Sequence, residues 1–283
     1  MRRFIHITYL LIVVCALFTA CNNDVDFVEY EPQFVVEGRI ENGKYASVLL
    51  SSSASFSELM DTTSLLHHVI RNAKVTVSDG VNSEILSLRS NSKKIPPYEY
   101  VTREMKGEIG KHYYLTIEYY DKTITAETYI PHPVDIDSLW FVKQNEKDRV
   151  GHVHIKFKNI SDHHYQISTS AVPNEKVFTP CLYGNIDNSL YPQGEQVSMQ
   201  LNKGPVIFPK PDYTTYFPDS VFIEVKLSVQ TKESYLFWTS YQNEILNSQN
   251  PIFPSVNKLK SNINGGIGIW AGYGSTVNTI KGE

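Results

Sequence analysis

Apolar and polar residues alternate along most of this chain, and the alternation becomes regular at Gln33. Phe34 to Ile40, the turn Glu41-Asn42-Gly43-Lys44 and Tyr45 to Leu50 predict a β-hairpin, because Asn-Gly supplies the positive φ that a tight turn between strands needs. Residues 51–68 are rich in Ser and Thr without a sustained period, which predicts a surface loop with one short helical turn around Leu65 to His68. Strands resume at Ala73 to Val77, turn at Asp79-Gly80 and return through Glu84 to Leu88, until Lys93-Lys94-Ile95-Pro96-Pro97 breaks the pattern. The strongest alternation is His112 to Tyr120. Tyr113, Leu115, Ile117 and Tyr119 fall on one face, while His112, Thr116 and Glu118 fall on the other. Asp121-Lys122 turns the chain into Thr123 to Ile130, and Pro131-His132-Pro133 ends the unit. About seven short strands with Gly, Asn and Asp turns and no amphipathic helix predict an immunoglobulin-like β-sandwich over residues 33–133.

The pattern after residue 133 predicts a second β-rich domain, residues 134–283, carrying one amphipathic helix. Ile136 to Val142 and Gly151 to Lys158 read as a hairpin with Val153, Ile155 and Phe157 inward, and Tyr165 to Ala171 continues it. Residues 172–219 hold many Pro, Gly and Asn, so they predict long connections with short strands such as Gln196 to Leu201. Val221 to Val229 alternates again. Thr231 then caps a helix near residues 232–246, whose Tyr235, Trp238, Tyr241 and Ile245 share one side with Phe237 and Leu246 flanking, and Asn250-Pro251 stops it. The chain closes on a glycine-rich strand from Ser261 to Gly274. A dinucleotide loop must leave a strand and open a helix, whereas these glycines alternate with Ile, Trp and Tyr, so they are expected to let backbones pack closely. The fold class is mainly β.

The beginning of the chain has a different pattern. Arg2 and Arg3 precede an apolar run from Phe4 to Phe18, and Thr19-Ala20-Cys21 follows. A basic start, a short apolar stretch and small residues at a cleavage point predict a signal peptide over residues 1–20. Cys21 after a small residue resembles a bacterial lipobox, with Phe18 where the commonest version has Leu. Cys21 is therefore the expected lipidation site, and residues 21–32 the expected lipidated tether. The whole chain carries a formal net charge of −4, and the removed segment holds two Arg and no acid, so a basic footprint for nucleic acid is excluded. Cysteine usage agrees: with Cys15 removed and Cys21 acylated, Cys181 has no partner for a disulfide, and Thr179 to Tyr183 offers no basic neighbour that would activate it. Its expected role is a buried small apolar residue.

Few motifs carry chemistry. His152 and His154 share a strand face near Asp162-His163-His164, a spacing that suits a metal, but Lys156 and Lys158 on that face oppose a cation. His67-His68 receives the same solvated reading. Trp140, Trp238 and Trp270 are candidates for stacking on sugar rings. Trp238 lies on the apolar helix side, and Trp270, between glycines, has the weakest case for the core. No Gly-x-Ser-x-Gly elbow, His-Glu-x-x-His helix or Walker loop occurs, so no catalytic residues, metal or cofactor are expected.

The lipobox, the segment Tyr30 to Gly43, the run Met105 to Ile117 with its continuation to Ile130-Pro131, and Ser261-Asn-Ile-Asn-Gly-Gly-Ile-Gly268 resemble an uncharacterised lipoprotein family of Bacteroidota, catalogued as a domain of unknown function. The resemblance covers nearly the whole mature chain. It implies an outer-membrane lipoprotein, often encoded beside a TonB-dependent receptor, and brings no functional residues with it. The expected function is that of a non-catalytic accessory or ligand-capture partner of such a transporter, acting through loops such as residues 51–68 and 172–219. A structural or adhesive surface lipoprotein is the first alternative and an envelope hydrolase the second. Asp61-Thr62-Thr63, Asp137-Ser138-Leu139 and Asp219-Ser220-Val221 also resemble that phylum's O-glycosylation tripeptide.

Overall fold

A computed structural model of the chain describes residues 31–54, 62–91, 96–160, 162–173, 175, 177–204, 213–248 and 259–283. Residues 32–283 form one compact unit. Its elements in chain order are β1 (Phe34–Glu41), β2 (Tyr45–Ser52), α1 (Thr62–His68), β3 (Lys74–Ser78), β4 (Ser83–Ile85), β5 (Ser87–Ser90), β6 (Tyr98–Lys106), β7 (His112–Tyr119) and β8 (Lys122–Tyr129). They continue with β9 (Ile136–Lys143), β10 (Val150–Lys158), β11 (His164–Val172), β12 (Thr179–Ile186), β13 (Gln196–Leu201), β14 (Phe217–Pro218), β15 (Phe222–Gln230), α2 (Lys232–Ser248) and β16 (Ile267–Lys281). The chain is mainly β, with several sheets and one main helix.

An eight-stranded sheet, in the order β12-β11-β15-β16-β1-β2-β6-β5, holds strands from both halves of the chain. Two four-stranded sheets accompany it: β4-β3-β7-β8, and β10 with β9, β13 and β14. Their inward residues form two cores. The first joins Val36, Ile40 and Val48 to Val75, Leu115, Ile117 and Ile124; the second joins Val153, Ile155 and Phe157 to Ile167, Val225 and Leu227. Each core is a sandwich between one small sheet and one part of the large one. The expected boundary at Pro131-His132-Pro133 falls between the two cores, while the sheet runs through without a break.

β16 explains that continuity. It pairs with β1 in parallel, Val35 opposite Ile267 through Glu41 opposite Tyr273, and with β15 antiparallel, Phe222 opposite Lys281 through Gln230 opposite Tyr273. Trp270 is fully buried in the first core, and Ile280 packs on the second. This corrects the weak case made for Trp270 as a core residue. Its neighbours in sequence are small because its neighbours in space are backbone: a Cβ on Gly272 would strike Tyr129 O and one on Gly274 would strike Pro131 O, so the linker between the cores lies directly on the strand. The opposite face of β16 carries Ile269, Ala271 and Tyr273, which pack under Phe237 and Trp238 of α2.

Several local expectations hold. The β1–β2 hairpin turns at Asn42-Gly43 with Gly43 at φ 71°, and the short helical turn near Leu65 is α1. Thr231 caps α2, its Oγ1 accepting from Ser234 N at 3.4 Å. Others need correction. The single strand expected from Glu84 to Leu88 breaks at Leu86, where β4 stays with β3 and β5 crosses to β6 in the large sheet. Leu86 is buried at the crossing, and that burial is what alternation mimicked. The buried line of α2 runs through Ser234 and Phe237, with Tyr235 and Trp238 only half buried. The β7–β8 turn is Tyr120-Asp121, because Tyr119 already pairs with Lys122.

Candidate functional site

Strand periodicity builds a polar and aromatic surface on the outer side of β10. β10 sends Val153, Ile155 and Phe157 into the second core, so His152, His154 and Lys156 must face outward. Register then fixes their neighbours. His154 stands opposite Trp140 on β9 and Gln200 on β13, His152 opposite Val142, and Lys156 opposite Ser138 and Ser198. The indole of Trp140 stacks on His154 with centroids 5.1 Å apart and planes 17° apart, and 37% of Trp140 remains exposed. His152 meets Tyr216 edge-on at 4.9 Å, and Gln144 Nε2 donates to Tyr216 OH at 3.0 Å.

Asn202 Oδ1 lies 2.6 Å from His152 Nδ1 and accepts from Gln200 Nε2 at 3.3 Å. Gln200 Nε2 also lies 2.9 Å from His152 Nδ1, so this ring nitrogen sits between two side-chain amides. The surface thus combines one indole, one phenol, two imidazoles and three amides. Burial, then the neighbouring charge of His152, lowers the pKa of His154, so that ring favours the neutral state. Such a face offers stacking and hydrogen-bonding groups of the kind that suit an uncharged polar ligand. Sequence reading found Trp140, His152 and His154 separately. Gln200, Asn202 and Tyr216 were missed, because they come from the irregular stretch 172–219 and only pairing brings them here.

The metal grouping considered in the sequence is not assembled. His163 turns to Asp162, with Nδ1 and Oδ1 2.6 Å apart, and stacks on Tyr129. His164 turns the other way, under α2, where it stacks on Tyr235 at 4.2 Å. Among the described residues no group of three or more His, Cys, Asp or Glu is placed to hold a metal. His68 Nδ1 pairs with Ser52 Oγ at 3.1 Å, far along the chain from either set. Cys181 is buried against Thr169 and its thiol is pushed up to about 12, which removes it as a nucleophile near neutral pH. Trp238 is spent on packing and on donating to Tyr273 OH at 2.7 Å. Ser138 lies exposed in mid-strand and Ser220 in the turn before β15; Asp61 and Cys21 lie outside the described residues.

A second concave surface of about 550 Å³ crosses the outward side of β7 and β8, between Tyr114, Glu127 and Tyr129 and the first turn of α2 at Glu233. Asn262 in its wall serves the backbone, donating to Glu127 O and Trp270 O and accepting from Trp270 N. It joins the end of the chain to the first core.

Burial also makes His164 a pH-sensitive element. Its Nδ1 is buried 3.4 Å from Asp187 Oδ1 without hydrogen-bond alignment; burial lowers its pKa more than Asp187 raises it, and His163 and Lys232 lower it further. A histidine with a lowered folded pKa contributes stability present above its unfolded value, ~6.5, and lost as pH falls through the folded pKa. Urea titrations at pH 7.5 and 5.0 are expected to show a loss of stability at the lower pH, and His164→Gln is expected to remove part of that loss. An unchanged pH dependence in the variant contradicts the assignment.

The fold and this surface define a class: a two-core, mainly β protein presenting an aromatic and amide platform. Residues 22–279 match the family described as Domain of unknown function (DUF4249), and the chain belongs to it. No curated protein matches the chain.

Proposed function

We propose that the protein is a non-catalytic lipoprotein of the cell envelope, anchored in the outer membrane through Cys21, that captures ligand for a TonB-dependent transporter beside it. The observation that carries this reading is where the family's shared region starts. It begins at residue 22, directly after Cys21, which agrees with a signal that ends at residue 20. The platform around Trp140 supports capture over catalysis, since stacking and amide groups bind without bond cleavage. The Bacteroidota origin and the transporter partnership come from the resemblance of the sequence motifs.

Fractionation tests the anchor. Cys21→Ala is expected in the soluble fraction, folded, without uptake of a clickable fatty acid, because each buried methylene contributes ~0.8 kcal/mol and stable anchoring takes more than one chain. Wild type without label contradicts the anchor. Partnership is tested by co-purification from outer membranes with and without the neighbouring receptor. Recovery of the protein always alone defeats it.

A further inference from the structure

The chain enters the fold at Pro32, and only ten residues separate it from Cys21. Ten residues reach at most ~35 Å when fully extended. The fold is longer than that. β16 starts beside Val35 and runs in parallel with β1 and beyond it to Lys281, roughly 46 Å further by strand rise. A lipid at Cys21 therefore restricts which end of the molecule can meet a bilayer.

The Pro32 end has a distinct surface. A hollow of about 360 Å³ is walled by Pro32, Phe34, His67, His68 and Tyr119. Phe34 meets Tyr119 edge-on at 5.8 Å, and Tyr119 meets Tyr120 edge-on at 4.7 Å. Tyr120 itself is 85% exposed at the first position of a two-residue turn, at φ 51°. That conformation favours glycine, and a bulky aromatic there is strained. The edge contact with Tyr119 leaves most of the ring in solvent, and turn chemistry does not call for a tyrosine at this position. Leu66 of α1 is also exposed, and Lys122 follows the turn. Tyrosine beside a long-stemmed cation is the side-chain pairing that settles at the interface between acyl chains and headgroups.

We propose that this end, with the Tyr120-Asp121 turn at its tip, lies against the lipid surface, Tyr120 seated at headgroup depth. The inference rests on the anchor reading above and adds an orientation to it. The exposed Phe222, paired with Lys281, then points away from the bilayer.

The test uses the acylated full chain on phosphatidylethanolamine and phosphatidylglycerol vesicles holding a headgroup nitroxide quencher. Single fluorophores are placed at Lys122→Cys or Phe222→Cys; the buried Cys181 does not compete for the label. Quenching at position 122 is expected to exceed that at 222 at least fivefold. Tyr120→Gly, which suits the turn, is expected to lower quenching at 122 about twofold while the protein stays on the vesicles. Equal quenching at both positions, or stronger quenching at 222, on protein that takes up fatty acid and floats with vesicles overturns the orientation alone. Unchanged quenching at 122 in Tyr120→Gly overturns the role of the tyrosine. Protein that takes up no fatty acid overturns the anchor and this inference together.

Discussion

Trp270→Ala is expected to destabilise the protein by about 4–5 kcal/mol, the upper part of the range for deleting a buried aromatic side chain. The ring is fully buried, and it fills the space that Gly38 leaves: a Cβ on Gly38 would lie 2.6 Å from Trp270 Cε3. Its Nε1 donates to Tyr113 O at 3.0 Å, so alanine leaves both a cavity and a buried carbonyl without its partner, the latter costing about 1–3 kcal/mol. Chemical denaturation reads the total, and Tm is expected to fall by roughly 10–15 °C for a unit of this size. Trp270→Phe separates the two contributions, since it refills part of the cavity but not the hydrogen bond, and about half the loss is expected to remain. A loss below ~1 kcal/mol in the alanine variant is incompatible with Trp270 as the shared centre of the first core and the last strand.

Trp270 also marks the limit of what alternation reveals. Local signals located the β1–β2 hairpin, β7, the β9–β10 hairpin and the start of α2, because each depends on residues near one another in sequence: Asn42-Gly43 for the turn, Tyr113 to Tyr119 for the face, Thr231 for the cap. The parallel pairing of β16 with β1 joins residues more than 200 positions apart, as Val35 with Ile267, and no local period encodes it. A tryptophan between glycines consequently made the weakest case for the core, although it is fully buried. Leu86 failed for a related reason: a residue where the chain crosses between sheets is buried like a strand residue, so alternation runs straight through the break.

The candidate surface was legible in part for the same cause. Outward His152 and His154 follow from period two on β10, and Trp140 from period two on β9. Their stacking partner and amide neighbours follow only from register and from tertiary placement, which brings Gln200, Asn202 and Tyr216 to the imidazoles. The sequence argument against a metal rested on Lys156 and Lys158. In the fold His163 stacks on Tyr129 and His164 on Tyr235, so the two neighbouring rings turn apart.

Glu41→Ala is expected to cost about 3–5 kcal/mol, the range for breaking a buried ion pair by removing one partner. Lys226 on β15 reaches across β16 to Glu41 on β1, Nζ to Oε1 2.7 Å, with side chains only 11% and 12% exposed. The ammonium lies 4.8 Å from the centre of the Phe178 ring, and burial lowers its pKa against the opposing pull of Glu41. The pair thereby bridges a strand contributed by each half of the chain, on the face of the large sheet away from both cores. Without the carboxylate the ammonium is buried alone. Its folded pKa then falls further below the unfolded value, ~10.4, so the unfolded chain binds more protons and stability rises with pH through that window. The deficit of Glu41→Ala is accordingly expected to shrink between pH 7.5 and 9.5, while wild type changes less. Adding Lys226→Met removes the orphaned charge, and the double variant Glu41→Leu with Lys226→Met is expected to return to within about 1 kcal/mol of wild type, because well-packed apolar groups replace a buried pair at little cost. A double-mutant cycle measured by urea denaturation gives the coupling directly. Additive losses with no pH dependence would show that the two side chains act separately, and that the pair does not tie β15 to β1 across the last strand.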